Sequence, residues 1–132
     1  AVDRGVDVRV LMPAASGSDN PIVQHAGHRN FEKMLRCGVR LFEFPRTLLH
    51  QKVMTVDGAW CSVGSSNFDD RSFETNDELT LSIRDEALAR RFDAIFEKYV
   101  ARASEIELER WRTRALAHKL TDHFYYSLNE LL

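Results

Sequence analysis

The sequence predicts an α/β domain in which helices flank a mixed β-sheet. Three observations lead there: short alternating β-branched runs such as Val6–Leu11 and Glu78–Arg84, apolar residues at helical spacing between and after them, and a globular composition. Of the 132 residues, 44% are hydrophobic and 29% charged, with 6 Gly and 3 Pro, which excludes collagen-like, low-complexity and disordered chains. A net charge of −2 removes the broad basic footprint of a protein that holds nucleic acid by charge. Phosphate chemistry must then come from a local site. Cys37 and Cys61 lie far apart and fit neither a disulfide framework nor a CxxC metal site, so both are expected reduced, in a cytosolic setting.

The elements follow in order. Asp3-Arg4-Gly5 reads as the tail of a helix ending on a glycine cap, so the domain is expected to be incomplete, lacking an N-terminal strand and helix. Val6–Leu11 alternates apolar and polar residues and stops at Met12-Pro13 as a first strand. A polar loop leads to Pro21, where a helix starts, with Ile22, Val23, Ala26, Phe31, Met34 and Leu35 as its apolar stripe and Gly38 as its cap after Cys37. Val39–Phe44 is a second strand, ended by Pro45. Leu49–Val56 and Ala59–Val63 flank Asp57-Gly58, a strong turn signal, and form a hairpin. After a loop over Gly64–Phe73, Glu78–Arg84 places Leu79, Leu81 and Ile83 on one face and Glu78, Thr80 and Ser82 on the other. Asp85 caps a helix running to about Ala103, with Leu88, Phe92, Ile95, Phe96 and Tyr99 at helical spacing. The domain is expected over 1–104. A helical extension over 105–132 carries Trp111, Leu116, Leu120, Phe124, Leu128 and Leu131 beside basic residues, a pattern that suits packing on a domain or partner better than lying on an anionic membrane.

The chemistry concentrates between Leu49 and Glu78. His50 and Lys52, two apart on an expected strand, point into the same space. A phosphodiester reaction needs a nucleophile or proton donor near phosphorus and fixed positive charge on the non-bridging oxygens, and these two side chains supply both. The Ser65 hydroxyl and Asn67 amide are neutral donors for the same oxygens, and a carboxylate such as Glu78 can hold the far nitrogen of a histidine. Asp57, beside Gly58 in a tight turn, reads as structural, accepting backbone or hydroxyl hydrogen bonds. Asp69, Asp70, Arg71 and Glu74 read as a local polar loop, although Asp70 and Glu74 compete with Glu78 as the carboxylate. His25 and His28 are placed on a solvated helix face, and His118 and His123 at a surface or interface.

The series His-x-Lys, four residues, Asp, six residues, Gly-Ser-x-Asn resembles the HKD motif of the phospholipase D superfamily without a gap. With the flanking RGVDVRVLMP, GVRLFEF and GSSNFDDRSFETNDELTLSIRDEALARRFDAIFEKYVARASEI, the chain looks like the C-terminal half of a bacterial cardiolipin synthase down to about Trp111. That resemblance implies a phospholipase D-like fold. It also implies transfer of a phosphatidyl group through a covalent phosphohistidine without metal or other cofactor, with phosphatidylglycerol as substrate. His50, Lys52, Ser65, Asn67 and Glu78 become active-site residues, with Asp57 and Gly64 structural in the motif. Such enzymes join two HKD motifs in one site, and this chain holds one. The second is expected from the other half of a parent chain or from a homodimer mate. The rival expectations are a single-motif homodimeric phosphodiesterase or nuclease, and an inactive half serving as scaffold or lipid-binding module. No apolar run is long enough to span a bilayer. The chain is therefore expected to be soluble, and its parent cytoplasmic and peripheral to the inner membrane.

Overall fold

The computed structural model describes residues 1–14, 28–45, 49–67 and 75–114. It holds two compact units, Ala1–Leu49 with Arg102–Leu132, and His50–Ala101. The α/β class holds, with the strands shared between two three-stranded sheets.

In the first unit, β1 (Arg9–Pro13) pairs in parallel with β2 (Arg40–Phe44), and β2 pairs antiparallel with β6 (Ser104–Glu105). The first strand thus runs two residues past its expected end. Pro13 is tolerated because β1 borders the sheet, where a missing N–H costs no ladder bond, and Ala14 N–H still reaches the Phe44 carbonyl at 2.9 Å. Being central, β2 is covered on both faces: Leu41, Phe42 and Phe44 are all buried. A single helical turn, Val2–Arg4, is closed by Gly5 at φ 84°, as the Gly cap anticipated. The helix α1 (Phe31–Arg36) follows a one-turn segment at His28–Asn30 and ends at Cys37, with Gly38 at φ 83°. Residues 21–27 of the expected helix lie outside the described residues.

Two expectations need correction here. Glu105 opens no helix: it lies on β6 opposite Phe42, and α3 begins only at Leu108 (Leu108–Thr113). His28 is not solvated but 8% exposed, its ring 4.8 Å from Phe31 and edge-on to Trp111 at 5.1 Å. The reason is tertiary. The helix α3 packs on α1, its Trp111 ring lying 5.1 Å from both Phe31 and His28, and Arg112 Nε pairs with Glu32 Oε1 at 3.1 Å across the same contact.

In the second unit, β3 (Lys52–Val56), β4 (Trp60–Gly64) and β5 (Thr80–Arg84) form an antiparallel meander. Asp57 at φ 51° and Gly58 at φ 61° turn β3 into β4, and Ala59 N–H closes the turn on the Val56 carbonyl at 3.1 Å. Aspartate is among the few non-glycine residues that tolerate this region. The helix α2 (Glu86–Val100) packs against β3 and β4. Asp85 caps it by accepting the Leu88 N–H at 2.8 Å. Cys61 on β4 and Ala89 on α2 are fully buried. On the other face, the Trp60 indole donates to Ser82 Oγ at 2.8 Å. No helix among the described residues is long and apolar enough to cross a membrane.

Candidate active site

The spacing of the motif is the length of a hairpin. Five residues of β3 pair with five of β4, Lys52 opposite Gly64 and Val56 opposite Trp60, so the chain leaves Lys52, turns at Asp57 and returns to the level of Lys52 at Gly64. Gly64 in turn lies opposite Thr80 of β5. The row Lys52–Gly64–Thr80 therefore marks one end of the sheet, and His50, Ser65, Asn67 and Glu78 all lie just beyond it. Asp57 sits at the opposite end, roughly 17 Å away at about 3.4 Å per residue. The structure thus gathers five of the seven motif-derived residues with Gly64 and leaves Asp57 in the turn.

His50 is not itself on the strand, which begins at Lys52, a correction to the expected extent of β3. The Lys52 ammonium turns back and donates to the His50 carbonyl at 2.9 Å. An ammonium has three donors, so this bond anchors Lys52 beside His50 while leaving positive charge at the sheet end. The His50 side chain is exposed, as are Ser65 and Asn67, whereas Lys52, Gly64 and Glu78 are half-buried.

Gly64 is required by close approach. A Cβ there would stand 2.9 Å from Thr80 Cα and well inside contact distance of the Leu79 carbonyl oxygen. Only a residue without a side chain lets β5 come this near. That approach joins Ser65 to the start of β5. Ser65 N–H donates to the Leu79 carbonyl at 2.9 Å, Leu79 N–H donates to Ser65 Oγ at 3.1 Å, and Ser65 Oγ donates to Glu78 Oε2 at 2.5 Å. Asn76 Nδ2 faces the other carboxylate oxygen at 3.5 Å, a long contact. The backbone of Leu79 and the amide of Asn76 were not singled out from the sequence; only the proximity of Asn76 to Glu78 in the chain hinted at the latter. The loop residues Asp69, Asp70, Arg71 and Glu74, and the histidines His25, His118 and His123, lie outside the described residues.

The first unit offers a separate cleft of about 200 Å³, lined by Glu43, Glu105, Ile106, Glu107, Arg110 and Trp111, and no motif residue lines it. Burial there pushes the Glu43 carboxyl up. The bidentate hydrogen bonds from Arg40, 2.8 and 2.9 Å, hold Glu105 below the usual carboxylate range. Among the described residues no cluster of His, Cys, Asp and Glu could hold a metal ion.

Comparison with known proteins agrees with the motif. A family model described as the phospholipase D-like domain of cardiolipin synthase matches residues 1–100. Cardiolipin synthase A from Yersinia pseudotuberculosis and that from Yersinia pestis are each 36% identical over all 132 residues. The chain spans 27% of the length of these relatives. Among solved structures, the fold is similar to Nuc, a phospholipase D family member from Salmonella typhimurium, with a TM-score of 0.64 and 20% identity over 80% of this chain and 68% of that one.

Proposed function

The chain belongs to the phospholipase D-like family of cardiolipin synthase domains, and from that premise we propose that it supplies one motif of a two-motif phosphatidyltransferase site. The observation that carries the reading is the convergence of His50, Lys52, Asn67 and Glu78 at one end of a three-stranded sheet, set there by the register Lys52–Gly64–Thr80. The substrate proposed is phosphatidylglycerol, met at a membrane surface by a peripheral parent protein. The other motif comes from a second half or a second copy.

In this reading one histidine of the pair attacks phosphorus and the other donates a proton to the leaving glycerol oxygen. A nitrogen–phosphorus bond forms as the phosphorus–oxygen bond breaks. The hydroxyl of a second phosphatidylglycerol then attacks the phosphohistidine, its proton passing to the histidine that gave one up. Cardiolipin forms and the first histidine is free again. The Lys52 charge and the Asn67 amide meet the negative charge on the non-bridging oxygens, which costs no metal. Glu78 holds the far nitrogen of a histidine, Asp57 turns the hairpin, and Gly64 lets β5 close on it.

The test is phosphodiester cleavage and transfer by the chain, supplied with a second motif-bearing partner and with a chelator present. His50→Ala is expected to lose activity by at least about 100-fold, and near-normal turnover by that variant sinks the assignment.

A further inference from the structure

We propose that Thr80 is a further substrate-contacting residue, its hydroxyl donating to a non-bridging phosphoryl oxygen from the side of Gly64 opposite Lys52. This rests on the function proposed above, in which Lys52 meets the charge on those oxygens.

The sheet register carries the argument. Directly opposed residues on neighbouring strands show their side chains on one face, so Lys52, Gly64 and Thr80 share a face at the motif end of the sheet. The fully buried Cys61, three positions before Gly64 on β4, belongs to the opposite face. Neighbouring strands stand about 4.8 Å apart, which sets β3 and β5 roughly 10 Å from each other across β4. Gly64, between them, raises no side chain into the gap. The Thr80 hydroxyl leans into that gap: a Cβ on Gly64 would stand 2.7 Å from Thr80 Oγ1. On the other flank, Lys52 gives one ammonium hydrogen to the His50 carbonyl, 2.9 Å away, and carries two more. Thr80 is exposed, and its hydroxyl makes no hydrogen bond among the described residues. A threonine on an outer strand needs no role beyond its strand-forming β-branched side chain. Thr80 differs in the placing of its hydroxyl, over the glycine of the motif and in one row with the lysine. A phosphoryl group entering over Gly64 meets a cation on one side and a neutral donor on the other.

Two substitutions isolate the hydroxyl. Thr80→Val keeps the shape and removes the donor, whereas Thr80→Ser keeps the donor and removes the methyl; a thermal melt confirms that both fold. With a second motif-bearing partner supplied, Thr80→Val is expected to lower kcat/KM for phosphatidylglycerol on the order of 10-fold, the worth of one hydrogen bond to a charged group. Thr80→Ser is expected to stay within about 3-fold of the unaltered chain. Full activity in Thr80→Val overturns the proposal, and so do equal losses in the two variants, which would assign the effect to the methyl. A second readout needs neither turnover nor partner: the 132-residue chain is titrated with inorganic phosphate. The backbone amide resonances of Gly64 and Thr80 are expected to shift, and Thr80→Val is expected to weaken the apparent affinity by about 3- to 10-fold. No shift at these amides in the unaltered chain, or an affinity unchanged in Thr80→Val, overturns the proposal. If His50→Ala keeps normal turnover, the functional reading falls, while the phosphate titration still decides Thr80.

Discussion

Gly64 shows how a single residue sets the geometry of the site. Its absent side chain admits the Leu79 carbonyl and Thr80 Cα, and through them the Ser65–Glu78 pair. Gly64→Ala is expected to destabilise the second unit by about 1–3 kcal/mol, the usual cost of forcing atoms into a packed space. It should also lower activity by parting β4 from β5, and a thermal melt beside a rate measurement checks both. An alanine variant with unchanged melting and turnover would show that β5 does not need this approach. The residue types of the candidate site could be read from the sequence because His50, Lys52, Ser65 and Asn67 stand at fixed spacing. The contact between Ser65 and Glu78 was not legible. It depends on β5 closing on β4, a contact between residues 13 apart that no local pattern announces. His28 taught the same lesson in the first unit, where its burial depends on Trp111 arriving from a distant part of the chain.

The hairpin is the element that turns spacing into a site. Its turn was readable from Asp57-Gly58, and its five-residue strands make the two halves of the motif meet. Element ends were read less well: β1 extends through Pro13, β3 starts after His50, and β6 stands where a helix was expected, because sheet pairing overrides local pattern. The helix α2 was anticipated with its cap. Asp85→Ala removes the bond to Leu88 N–H and is expected to cost about 1 kcal/mol of stability, measured by denaturant unfolding. Activity should be unaffected per folded chain. In the first sheet, burial raises the Glu43 pKa. The folded state then binds this proton more tightly than the unfolded chain does, so stability falls as pH rises from the ordinary carboxylate range through the raised value. Glu105, lowered chiefly by its hydrogen bonds from Arg40, acts oppositely: its contribution is present above the ordinary carboxylate range and is lost as pH falls through the lowered value. Glu43→Gln is expected to remove the first slope and leave the second. A stability curve across acidic pH unchanged by that substitution contradicts the assignment.

At the scale of the whole molecule, the chain carries one HKD motif and spans 27% of the length of its cardiolipin synthase relatives. The family was legible from the motif and its flanks, and the α/β class from alternating strands and helical stripes. The division into two units was not, since it depends on Ser104 and Glu105 pairing back with β2 of the first sheet. In the function proposed above the site takes two histidines, of which the motif in this chain supplies one, His50. The decisive experiment is metal-free phosphodiester turnover per chain over a dilution series, with light scattering on the same samples. Turnover is expected only where chains pair or a second motif-bearing partner is added, and none is expected from His50→Ala at any concentration. A monomer that keeps its full rate per chain on dilution would contradict the half-site.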